Sequence, residues 1–302
     1  MSIFTGSGAA IATPFIGAEK INFAAYESLI DFQIKNGTDA IISCGSTGEA
    51  ATLSKDEHIE VVSQAITATK KANNAYNKAV PVIAGAGGNN TAQCIEMGKA
   101  IMQVGADALM YVTPYYNKTS QKGLIHHYTA IAAAIDLPII VYNVPARTAL
   151  NMLPATLSEI SKLPNIVAVK EASSDIVQVA EIIEQCGGNI DVYSGNDNHV
   201  VPVLSLGGIG VISTIANILP AQMHEMVMTY LNGDSKTSLK LQLSILPLVR
   251  CLFADVNPMP LKAAMELMGF DVGPCRLPLT TIDDCHNDRL KQELAKFGLL
   301  SQ

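Results

Sequence analysis

A chain of 302 residues, 49% of them hydrophobic, can bury one large core or two smaller ones. Its formal net charge of −7, with no run of five basic residues, excludes the clustered positive footprint that nucleic-acid binding needs, whereas a small anion needs only one or two placed Arg or Lys side chains. No apolar run reaches the roughly 18–20 residues of a membrane span.

The apolar residues come in eight short bursts, at 7–14, 39–44, 80–85, 107–114, 138–145, 166–171, 190–195 and 208–215. Each is rich in small or branched side chains and closed by Gly, Pro or a polar residue. Continuous rather than alternating apolar runs predict parallel strands covered on both faces. Helical periodicity fills the gaps, at 23–36, 54–72, 91–105 and 121–135, with a brief helix near 199–206. Ser54 and Glu57 form a capping box at the start of the second helix. Eight βα units in series predict an α/β fold, a (β/α)8 TIM barrel. Beyond residue 215 the pattern is wholly helical, at 220–231, 235–254, 260–268 and 283–297. The expected division is a barrel over 1–225 and a C-terminal helical extension over 226–302, packed on it.

Cys44, Cys94, Cys186, Cys251, Cys275 and Cys285 form no CxxC pair and match no zinc spacing, so free thiols in a reducing cytoplasm and no bound metal are expected. The N-terminus, Met-Ser-Ile-Phe-Thr-Gly, shows no features of a signal peptide.

Barrel active sites lie at the C-terminal ends of the strands. Lys170 closes the sixth burst. Desolvated there, its amine is a nucleophile; the alternative is a lysine that extends into solvent. Gly45-Ser46-Thr47-Gly48-Glu49 follows the second burst, with hydroxyls and backbone N–H groups that suit a carboxylate or cap the next helix. Tyr142, near the end of the fifth burst, and Arg147, just after it, offer a phenol for proton transfer and a planar fork for a carboxylate or for the surface. Tyr115 and Tyr116 follow the fourth burst, as ligand contacts or an interface patch. Gly195 ends the seventh, where a backbone can approach a ligand closely.

These motifs, in this order, resemble the pyruvate-dependent class I aldolases, the superfamily of N-acetylneuraminate lyase and dihydrodipicolinate synthase. The likeness covers nearly the whole chain, from Gly6-Ser7-Gly8 to Arg276-Leu277-Pro278. Residues 112–118 and Tyr142-Asn143-Val144-Pro145-Ala146-Arg147-Thr148 are most similar to the dihydrodipicolinate synthases. The resemblance implies a lyase of lysine and diaminopimelate biosynthesis, without cofactor, that condenses pyruvate with L-aspartate 4-semialdehyde. It implies an imine on Lys170, proton transfer by Tyr142, and a relay through Ser46 and Tyr116. Tyr116 would come from a second copy in a homo-oligomer, a dimer of dimers. Thr47, Arg147, Gly195 and Ile212 would bind substrate. Ser46 stands where the synthases commonly have Thr. A sugar-acid lyase of the same superfamily is the alternative, disfavoured by Arg147; a barrel without activity that serves as a binding protein is another.

The resemblance also implies a lysine-binding regulatory site at Ala50, Lys55, His58, Asn89, Gln93 and Tyr115. Gln93 replaces a glutamate and Lys55 a histidine of the lysine-sensitive pattern. Weak or absent inhibition by lysine is the expectation.

Overall fold

The computed structural model describes residues 2–300. Eight parallel strands close a barrel: β1 (Gly6–Ala10), β2 (Ala40–Ser43), β3 (Val82–Gly85), β4 (Ala108–Val112), β5 (Ile139–Asn143), β6 (Ile166–Glu171), β7 (Asp191–Ser194) and β8 (Gly210–Ser213). Each pairs with its sequence neighbours, and β1 meets β8 through Gly6↔Gly210 and Gly8↔Ile212 to complete the ring. The first strand is shorter than its apolar run. Ile11 N–H still donates to the Ile42 carbonyl of β2; beyond it the chain leaves the ladder, because Ala12 N–H donates to Asn217 Oδ1 and the Thr13 hydroxyl to the Gly48 carbonyl. A small antiparallel ribbon, Phe15–Ile16 with Lys20–Ile21, follows.

The helices around the ring are α1 (Phe23–Lys35), α2 (Lys55–Tyr76), α3 (Thr91–Val104), α4 (Gln121–Ala134), α5 (Pro145–Thr148), α6 (Pro154–Ile160), α7 (Ile176–Cys186), α8 (Val200–Ser205) and α9 (Pro220–Leu231). The Ser54–Glu57 capping box starts α2. Two cores result from the alternation along each strand. One lies between strands and helices. The other fills the barrel and contains Ile42, Ile83, Met110, Ile140, Tyr142, Ala168, Tyr193 and Ile212. Phe4 stacks on Tyr193 at 4.4 Å, near the start of β1.

The extension comprises α10 (Ser235–Leu252), α11 (Met259–Leu267) and α12 (Asp284–Lys296). The expected boundary at 225/226 falls inside α9. The chain turns at Gly233, with φ +93°, where the helix has ended. Two ion pairs fasten the extension to the barrel: the buried Lys262 Nζ lies 2.7 Å from Glu49 Oε1 and over the Phe15 ring, and the half-buried Arg276 forks onto Glu57 at 2.6 and 2.9 Å. Removing one partner of a buried pair such as Lys262–Glu49 costs about 3–5 kcal/mol, because the other charge is left alone. No helix among the described residues is long and apolar enough to cross a membrane.

Candidate active site

Lys170 shares its parity along β6 with Ala168 and Ala172, both in the barrel-interior core, so its side chain enters the barrel. It is 6% exposed. Glu171, of opposite parity, faces outward and is held by Ser173 N–H at 2.6 Å and Asn143 Nδ2 at 3.0 Å. Burial pushes the Lys170 amine down to about 8; the Asp197 carboxylate opposes this and the Arg147 charge adds to it.

Tyr142 stands directly opposite Lys170 in the β5–β6 register, and the Lys170 amine lies 4.3 Å from its ring centroid. Burial raises the phenol pKa, while the Arg147 charge and the nearby Ser46 hydroxyl pull the other way. Gly195 lies on the other side. A methyl at its Cα would sit 3.1 Å from Lys170 Cγ and 2.7 Å from Ala172 Cβ, so the glycine makes room for the lysine stem. Ile212 is buried in the same interior core.

Around the 45–49 turn the left-handed residues are Cys44 and Glu49, at φ +53° and +52°. Gly48 is needed for close approach, since a Cβ there would meet Ile11 O at 3.1 Å. The turn buries Thr47, whose Oγ1 lies 3.4 Å from Thr214 Oγ1 and accepts from Asn257 Nδ2 at 2.9 Å. The Asn257 carbonyl accepts from Arg147 Nη2 at 3.1 Å.

Two residues here went unmarked in the sequence. Asn257 comes from the turn before α11 and stands 210 positions from Thr47. Asp197 is buried; its Oδ2 accepts from the backbone N–H groups of Thr214 and Ile215 at 3.2 and 3.0 Å, and burial raises its pKa. Its position two residues after Gly195, at a strand end, was the available signal.

A cavity of about 580 Å³ opens beside this cluster, lined by Ser46, Tyr142 and Arg147 at one end. Ala50, Lys55, His58, Asn89, Gln93 and Tyr115 all line it as well. His58 is buried, contacts the Gly85 carbonyl through Nε2 at 2.7 Å, and has a pKa lowered by that burial. Lys55 does not stand alone as an added cation: it pairs with Glu96, another lining residue. Tyr116 is outside the cavity lining, 92% exposed and at φ +62°. One chain thus gathers Lys170, Tyr142, Ser46, Thr47, Arg147, Gly195 and Ile212, and leaves Tyr116 outside.

The model of the dihydrodipicolinate synthetase family matches residues 3–297. The chain belongs to that family. It is 53% identical to the 4-hydroxy-tetrahydrodipicolinate synthase of Lachnoclostridium phytofermentans over 99% of this chain and all of that one. Among solved structures, it is similar to the synthase of Cyanidioschyzon merolae with lysine bound, at TM-score 0.94 and 37% identity, over 99% of this chain and 100% of that one. It is also similar to the chloride-inhibited synthase of Acinetobacter baumannii complexed with pyruvate, at TM-score 0.93 and 38% identity, over 98% and 99% of the two chains.

Proposed function

We propose that this chain is a Schiff-base lyase that condenses pyruvate with L-aspartate 4-semialdehyde, the reaction of a 4-hydroxy-tetrahydrodipicolinate synthase. The observation that carries the reading is Lys170: a buried amine at a strand's C-terminal end, depressed to about 8, beside a phenol. With that pKa about a tenth of the amine is neutral at pH 7, against a few parts in ten thousand for an ordinary lysine.

In this reading the neutral Lys170 amine adds to C2 of pyruvate and water leaves, giving the imine. The imine draws electrons from C3, which loses a proton to become an enamine. The enamine carbon attacks the aldehyde carbon of the semialdehyde, whose oxygen takes a proton. The semialdehyde's amine then attacks C2, closes the ring and expels the Lys170 amine. Each step moves a proton, and Tyr142 with Ser46 supplies the hydroxyl path; such transfers contribute about 10²–10⁴-fold.

Thr47 takes the pyruvate carboxylate, and Arg147 the carboxylate of the semialdehyde. A second copy donates Tyr116, whose exposure in one chain suits a residue that is covered on assembly. The Ala50–Tyr115 end of the cavity takes lysine weakly, because Lys55 and Glu96 satisfy one another there and Gln93 offers no charge.

The test supplies pyruvate with aspartate semialdehyde, and N-acetylneuraminate separately. Turnover of the semialdehyde, lost in Arg147→Ala while imine formation persists, is expected. Turnover of the sugar acid alone would move the assignment to the lyases.

A further inference from the structure

Asn257 belongs to the C-terminal extension, yet it touches both groups assigned above to carboxylate binding. Its buried side chain donates through Nδ2 to Thr47 Oγ1 at 2.9 Å, and its main-chain carbonyl accepts from Arg147 Nη2 at 3.1 Å.

A threonine hydroxyl has one proton and two lone pairs. With Nδ2 donating into one lone pair, the Thr47 proton must point elsewhere. The other hydroxyl beside it, Thr214 Oγ1, is 3.4 Å away, beyond the usual O–H···O range. The proton is thereby left for an incoming carboxylate. A donor already turned toward its ligand binds more tightly, because less freedom is lost on binding. On the other arm, the carbonyl occupies one of the guanidinium's five N–H groups and leaves the others for a ligand. Asn257 Oδ1 is buried without a hydrogen-bond partner among the described residues. The amide is therefore held by its donor arm, the arm that touches Thr47. The reversed amide would present Oδ1 to Thr47, accept its proton and turn it away from a ligand.

We propose that Asn257 is a positioning residue: its amide turns the Thr47 hydroxyl toward the pyruvate carboxylate and its carbonyl fixes the Arg147 fork, so that the C-terminal extension completes the site. This rests on the reading of Lys170 and pyruvate above.

The experiment measures the pyruvate dependence of hydride trapping on Lys170 in the full-length protein, with Asn257→Ala, Asn257→Asp, Thr47→Val and the Thr47→Val/Asn257→Ala pair. Loss of one oriented hydrogen bond should raise half-saturating pyruvate about tenfold in Asn257→Ala. Asn257→Asp, which imposes the reversed polarity and adds a charge, should raise it further. The maximal trapping rate should hold. Asn257→Ala should add nothing once Thr47 is Val, since it acts through that hydroxyl. The semialdehyde requirement should change less, because the Arg147 contact is with the main chain. Half-saturation within twofold of the parent in both Asn257 variants would overturn the proposal. So would a lowered thermal midpoint and maximal rate with unchanged half-saturation, which marks a merely structural residue. A parent protein that traps no pyruvate refutes the underlying reading, and this inference with it.

Discussion

A buried lysine has a thermodynamic cost that its removal exposes. In Lys170→Met the amine is replaced by a side chain of similar length that needs no proton and no partner. The folded state holds the Lys170 pKa at about 8, against the ordinary 10.5 of an unfolded chain. The unfolded state therefore binds more protons between those values, and stability rises with pH across that window. Integrated to pH 7, the penalty on the folded parent is about 3 kcal/mol; at pH 9.5 it has shrunk to about 1 kcal/mol. Lys170→Met should therefore be more stable than the parent at pH 7, with the advantage falling by more than half at pH 9.5. Urea denaturation at both pH values, at one protein concentration, reads the difference. An unstable variant, or an advantage equal at both pH values, would refute the picture of a desolvated amine. The variant should form no imine, so the same side chain would limit stability and supply the chemistry.

The same pKa sets the pH dependence of imine formation: cyanoborohydride trapping at low pyruvate should climb about tenfold per unit below pH 7 and level off above about 8, and an inflection near 10.5 would exclude a perturbed lysine. Gly195→Ala forces a methyl to 2.7 Å from Ala172 Cβ and 3.1 Å from Lys170 Cγ. It should slow trapping about 10–100-fold through displacement of the lysine, measured on protein whose circular dichroism is unchanged. His224 Nδ1 meets Asp39 Oδ2 at 2.8 Å, and that bond raises the histidine pKa. A raised folded-state value means the stabilisation is full below the unfolded pKa and fades as pH rises through the folded one. His224→Ala should consequently lower the urea midpoint more at pH 5.5 than at pH 8.5, and the opposite order would refute the pairing. Lysine should inhibit weakly, with micromolar inhibition in a steady-state assay counting against the Lys55–Glu96 account.

The parts legible in the sequence are those written in local pattern. The apolar runs located all eight strands, and strand parity plus position brought Lys170, Tyr142 and the 45–49 turn to one rim. The first run misled at its end, because residues 12–14 continue the apolar run while Ala12 and Thr13 bond to Asn217 and Gly48 instead of a ladder. The helices α5 and α6 also escaped notice, although Pro145 and Pro154 stand at their first positions, where proline is favoured. Asn257 and Lys55 show a different limit. Nothing near Asn257 in the chain announces Thr47, and nothing near Lys55 announces Glu96; both pairings exist only once the elements that carry them are packed. Tyr116 is the remaining case, a residue whose partner lies outside one chain in the reading proposed here.

The central claim is that Lys170 forms the imine. Reduction of the protein with borohydride in the presence of pyruvate, followed by peptide mapping, tests it directly. A single reduced pyruvate adduct on the peptide that contains Lys170, absent in Lys170→Met, is the predicted result. An adduct on any other lysine, or none at all, would contradict the account.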